Sequence, residues 1–244
     1  MMSAGSLDAY SGEMSFRALD PRAKIVSIIM FVVISALLKD MYVLTAALFY
    51  VLALLCISAI PVAHILGRYL LAAPFALLGS LSVYFYAGLH PSIAMFLRIS
   101  TCVLAIVLLS TITPFLDLLL GLQRLRVPRI FVSLLLFTYR YLFVIFDEMQ
   151  RMALARKARG ARKGRHLLDR EGMRTISFTA GMVFVRAYER GKRMHEALRS
   201  RGYDGEIRTL TPLRIKAADI LFFGLVLAFG AILLSADWRM GPWA

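Results

Sequence analysis

Tyr69-Leu-Leu-Ala-Ala-Pro-Phe-Ala-Leu-Leu-Gly-Ser-Leu-Ser-Val-Tyr-Phe-Tyr-Ala-Gly-Leu89 carries no charged side chain from end to end. A helix needs about 20 apolar residues to cross a bilayer core, so this stretch is long enough to do so. It is not alone. Met41–Val62, Ile99–Leu116 and Ile220–Ala236 are also uncharged, and Ile25–Leu38 is a shorter run of the same kind. The short first run must tilt, thin the bilayer or pair tightly with a neighbour, and Lys39–Asp40 joins it to the second run as a hairpin.

Composition agrees. The chain has 244 residues, 59% of them hydrophobic and 18% charged, with a mean hydropathy of +0.71. That excludes disorder and an ordinary water-soluble surface. Cys56 and Cys102 both lie in apolar runs, where a free thiol behaves as a small hydrophobe, and no disulfide framework is expected. The first 24 residues contain Asp8, Glu13 and Asp20 and no apolar centre, so they do not read as a signal peptide.

The net charge of +14 is concentrated in one block. Residues 121–216 hold 22 of the 29 Lys and Arg and 8 of the 15 Asp and Glu, which leaves the remainder neutral. The expected organisation is therefore an N-terminal segment 1–24, four spans in 25–120, a basic domain 121–216, and a last span with a short tail in 217–244. The positive-inside rule places the N-terminus and the basic block in the cytoplasm. It puts His64 and Arg68 on an inside loop and His90–Pro91 on an outside one. Arg98 falls toward the outer half, against the rule. Phe131–Phe146 is strongly apolar but contains Arg140. A mid-bilayer Arg costs about 2.5–3.5 kcal/mol even on the lenient scale. A span here would also put the positive excess of 150–216 outside, so this run is read as interfacial, with a sixth span as the alternative. The fold class expected is an all-α, polytopic membrane protein with about five transmembrane helices and a cytoplasmic or interfacial helical domain before the last span.

Two long amphipathic helices are expected in the basic block. The first runs from Pro128 to about Arg159, with Asp147 and Arg151 as an i,i+4 pair. Ala161–Arg165 is a connector. The second runs from Arg174 to Arg201 with a break near Gly181, and it carries Glu189–Arg193 and Lys192–Glu196 pairs. One ends in Ala158-Arg159-Gly160 and the other in Ser200-Arg201-Gly202. Helix-end physics explains both tripeptides without any function, because Arg suits the C-terminal macrodipole and Gly the left-handed cap.

Chemistry is sparse. There is no GxxxxGK[ST], HExxH or GxSxG, and the four His residues are scattered. Apart from the edge residues Asp117 and Asp219, the apolar runs lack the carboxylates that ion carriers use. The chain thus reads as a membrane scaffold with a basic helical device, one subunit of a larger machine.

Several stretches together resemble one family. They are Ala18-Leu-Asp-Pro-Arg-Ala-Lys24, Leu125-Arg-Val-Pro-Arg-Ile-Phe131, Phe137-Thr-Tyr-Arg-Tyr-Leu-Phe-Val-Ile-Phe-Asp-Glu148, Ala155–Gly160 and Arg199-Ser-Arg-Gly-Tyr-Asp-Gly205. The chain resembles the transmembrane T component of energy-coupling factor (ECF) transporters, of the CbiQ cobalt-transport type. The resemblance implies a non-catalytic coupling subunit in a bacterial inner membrane. Its partners would be two ABC ATPases, which bind ATP and Mg, a cobalt-type substrate-binding membrane subunit, a small accessory membrane subunit and membrane lipid. It implies no cofactor in this chain and no nucleic acid. Two coupling helices crossed in an X would dock through Ala158, Arg159, Gly160 and Ser200, Arg201, Gly202, the second motif departing by Ser for Ala. Nickel or vitamin systems share this pattern. A nucleic-acid-binding or lipid-binding membrane protein is the more remote alternative, and the basic stretch Arg156–Arg165 lacks the interleaved aromatics of base stacking.

Overall fold

The computed structural model describes residues 20–58, 62–125, 127–160, 170–203 and 217–239. Among these the secondary structure is helical: α1 Pro21–Leu37, α2 Met41–Ile57, α3 Val62–Ala87, α4 Leu89–Ile112, α5 Phe115–Arg124, α6 Arg129–Ala158, α7 Arg170–Ser200 and α8 Ala217–Arg239. The chain is an all-helical, polytopic membrane protein. Residues Ile65–Ala87, Leu89–Ile112, Ile130–Ala158 and Ala217–Arg239 are long and apolar enough to cross a membrane, and Met41–Ile57 is a shorter apolar helix. Two compact units form, one from α1–α5 with α8, the other from α6 and α7.

In the first unit α1 is the buried centre. Ile25, Ile28, Phe31, Ile34 and Leu38 are almost inaccessible. The helix packs mainly on α8 and α4, and α2 packs on α4. Of the ways expected for the short first run to be accommodated, tight pairing with neighbours is seen, and its main neighbours are α8 and α4 rather than its hairpin partner α2. Its ends are met by side chains of other helices. The Asp20 side chain accepts the Arg22 N–H at 3.1 Å, and Asp219 at the start of α8 accepts the buried Asp20 N–H at 2.7 Å. At the other end Arg98 donates to the Leu38 carbonyl, and Asp237 accepts the N–H groups of Lys39 and Asp40, each at 2.9 Å. A helix whose orphan donors and acceptors meet protein partners need not reach water at both ends, so 17 residues suffice for α1. The same bond gives Arg98, which the positive-inside rule disfavoured, a place at the C-terminus of α1 where a cation is stabilised.

These contacts fix directions. Asp219 and Asp237 stand at the two ends of α8 and meet the two ends of α1 in the same order, so α1 and α8 are parallel. Lys24, Leu54, Ile112, Thr113 and Phe222 line one small cleft, which places the start of α1, the ends of α2 and α4, and the start of α8 on one face. On that face α5 packs on α1. A Cβ at Gly121 would stand 2.8 Å from Ile25 Cδ1 and 3.4 Å from Pro21 Cβ. The chain thus leaves the first unit and re-enters it on the same face. The second of the intervening helices, α7, carries Arg174, Arg186, Glu189, Arg190, Lys192, Arg193, Glu196 and Arg199 and is a poor span. Helix α6, whose apolar part is read from sequence as interfacial, has the length and apolarity of a span, with Arg140 inside it.

Three expectations are corrected. His64 and Arg68 lie within α3, not on a loop; Arg68 Nη1 donates to Ser110 Oγ and Thr111 Oγ1, both at 3.1 Å. His90 and Pro91 form the first turn of α4, where a proline N–H is not needed. Gly88, at φ +92°, makes the break between α3 and α4. The second basic helix begins at Arg170 and runs unbroken through Gly181, because propagation and packing outweigh one glycine's cost of about 1 kcal/mol. The connector expected at Ala161–Arg165 lies outside the described residues.

Candidate functional site

Helices α6 and α7 end alike. Ala158 is the last residue of α6, Arg159 is its cap, and Gly160 follows at φ +80°. The Gly160 N–H bonds the Lys157 carbonyl at 3.1 Å. Ser200 is the last residue of α7, Arg201 follows, and Gly202 has φ +73°. The Gly202 N–H bonds Arg199 O at 3.0 Å and the Tyr203 N–H bonds Leu198 O at 3.0 Å. This paired closure is the Schellman arrangement, in which the left-handed residue is glycine because a Cβ there meets the carbonyl. All six residues from the two tripeptides are exposed. A Cβ at Gly160 or Gly202 would meet nothing within 4 Å, so the backbone angle alone requires glycine.

The two helices run antiparallel. Phe137 and Tyr203 meet edge to face at 6.1 Å. Tyr141 Oη donates to Met194 Sδ. Glu148 pairs with Arg186, and Arg190 Nη2 stands 4.0 Å from its other oxygen. Arg156 Nη1 donates to Thr179 Oγ1 and, at 3.4 Å, to Thr175 O. As positions rise along α6 their partners fall along α7. The two Arg-Gly ends are therefore not brought together. They sit at opposite ends of the pair, about 30 Å apart by helix rise. A permanently charged, planar guanidinium at each end suits a carboxylate in a partly buried groove of a partner.

The residues that hold the pair were not singled out from sequence. Asp147 looked like the structural acid through its i,i+4 neighbour Arg151. The neighbouring Glu148 is the carboxylate that bridges the helices. Its signal was Arg186 and Arg190, one turn apart on the stripe formed by Val183, Ala187 and Met194. Glu189–Arg193 does form, at 3.9 Å, but both side chains are exposed and such pairs contribute little.

Comparison with known proteins completes the assignment. The family described as CbiQ, cobalt transport protein, matches residues 12–213, a range that takes in both Arg-Gly helix ends. An uncharacterized protein of Methanocaldococcus jannaschii is 29% identical, across 90% of this chain and 82% of its own length. A cobalt transport protein CbiQ of Rhodobacter capsulatus is 34% identical, across 59% of this chain and 56% of its own. One from Salmonella typhimurium is 31% identical, across 49% and 52%. The chain spans about half the length of these two cobalt transport proteins. This all-helical membrane protein, with an exposed Arg-Gly end on each helix of its second unit, belongs to the CbiQ cobalt transport protein family.

Proposed function

We propose that this chain is the transmembrane coupling subunit of an ECF-type, ATP-driven importer, and that its cargo is Co2+. Two cytoplasmic ABC ATPases bind ATP and Mg and dock on Ala158-Arg159-Gly160 and Ser200-Arg201-Gly202. A separate membrane subunit holds the cargo, and a small accessory membrane subunit completes the complex. The observation that carries this reading is the repeated, exposed Arg-Gly cap at opposite ends of one antiparallel helix pair. Two equivalent docking points suit two equivalent ATPases.

The proposed mechanism follows from that spacing. Closure of the ATPases on ATP displaces the ends of α6 and α7. The apolar faces of these helices carry the displacement to the cargo-binding subunit, which rocks and releases its ion inward. The N-terminus and the basic domain are cytoplasmic in this scheme, as the charge asymmetry requires. Family membership supports cobalt over nickel or a vitamin. The test is uptake of labelled Co2+ by vesicles that contain this chain and its candidate partners. The expected result is ATP-dependent Co2+ accumulation that fails when this chain is omitted. Accumulation of nickel alone would reassign the cargo, and uptake without this chain would remove its role.

A further inference from the structure

One carboxylate of α6 faces two arginines of α7. Glu148 is half-buried, with 24% of its side chain exposed, in a cleft lined by Val144, Ile145, Val183 and Ala187. Arg186 engages one of its oxygens, and Arg190 approaches the other at 4.0 Å. Residues four apart share a helix face one turn apart, so the two guanidiniums are equivalent stations along the direction of sliding. The next polar station is built the same way. Arg156 reaches both Thr179 Oγ1 and Thr175 O, again four apart. If α7 advances so that Glu148 faces Arg190, Arg156 keeps Thr179. The shift frees Arg186, whose side chain is 48% exposed, to solvent and takes Met194 from Tyr141, while the more deeply placed Glu148 keeps an arginine.

We propose that Glu148 is a two-position latch that exchanges Arg186 for Arg190 as α7 slides along α6 by up to one turn, about 5.4 Å. This rests on the coupling role proposed above and names the motion through which it works. Glu148, Arg186 and Arg190 are positioning residues: they touch neither cargo nor nucleotide and set the two registers of the helices that do the coupling. The latch keeps Glu148 charge-paired throughout, because its two oxygens reach Arg186 and Arg190 from one position.

The test uses the full complex in vesicles, with Cys56→Ser and Cys102→Ser as background. Retention of the ATPases is confirmed first. One reporter pair is Ile145→Cys with Ala187→Cys. The other is Ile145→Cys with Gly191→Cys, one turn on, where an added side chain meets nothing within 4 Å. The latch predicts that nucleotide-free and ATP–vanadate-trapped complexes favour different pairs on mild oxidation. In Arg190→Ala, cross-linking stays at the Ala187 pair in both states. ATP hydrolysis persists, and uptake falls about tenfold, the effect of losing roughly one charge-assisted bond. Arg190→Lys restores the second register, which a merely structural role would not require. A transporting complex whose cross-links ignore nucleotide state, or an Arg190→Ala variant with normal uptake, overturns the latch and leaves the coupling role standing. A wild-type chain that retains no ATPase overturns both, at the first step.

Discussion

Gly160 and Gly202 hold one backbone conformation, φ +80° and φ +73°, each one residue after an exposed arginine at the end of its helix. The repetition presents Arg159 and Arg201 alike, each at a helix end closed by a left-handed glycine.

Substitution of either glycine by alanine introduces no clash, so its effect isolates the backbone angle. Each Gly→Ala change should cost about 1–2 kcal/mol of local stability, and Asn should cost less. The expected outcome is a frayed helix end and weaker ATPase retention, measured by amide exchange at Leu198–Tyr203 and by co-purification. Gly181→Ala and Gly191→Ala in the interior of α7 also meet open space but have ordinary helical angles. They should stabilise by about 0.5–1 kcal/mol, seen as a higher Tm in detergent.

The two aspartates of α8 act as caps for other helices. Asp237→Ala removes the acceptor of two N–H groups at the start of α2 and should cost about 1–2 kcal/mol, with Asn recovering much of it. Asp219→Ala leaves the buried Asp20 N–H without this acceptor and should cost more, about 2–3 kcal/mol. Thermal unfolding of the two variants side by side checks the order. A Tm for Asp219→Ala at or above that of Asp237→Ala would contradict the burial of the first cap.

Close approach of α1 and α8 depends on Gly230. A Cβ there would stand 2.6 Å from Ile34 Cδ1, the flexible end of its side chain. Gly230→Ala should therefore cost about 1 kcal/mol, and Ile34→Val, which removes that methyl, should recover part of the loss in the double variant. A double-mutant cycle on Tm measures the interaction. Strict additivity would mean that the two residues do not share the contact.

Much of the fold was legible because a bilayer tolerates few solutions. Long uncharged runs had to be helices. The α1–α8 pairing was not legible, since it depends on contacts between Asp20 and Asp219 and between Lys39, Asp40 and Asp237, far apart in sequence. Helix α5 escaped notice because a short amphipathic segment merges with its apolar neighbours. At the candidate site, the glycine caps were readable from local rules that act within one helix end. Glu148 was not, because its role depends on which face of α6 meets α7, and the adjacent Asp147 offered a plausible local pair. Arg68 was assigned to a loop because a charge in an apolar sequence reads as an end, whereas serine and threonine hydroxyls of α4 take it up inside the helix.

The most direct measurement is the number of ATPase subunits that co-purify per copy of this chain, for the wild type, Arg159→Ala, Arg201→Ala and the double variant, in a detergent that keeps all four folded. The account predicts stepwise loss: two ATPases for the wild type, one for each single variant when the ATPases are held apart without nucleotide, and none for the double variant. Equal retention by all four would contradict the claim that these two helix ends are the docking points.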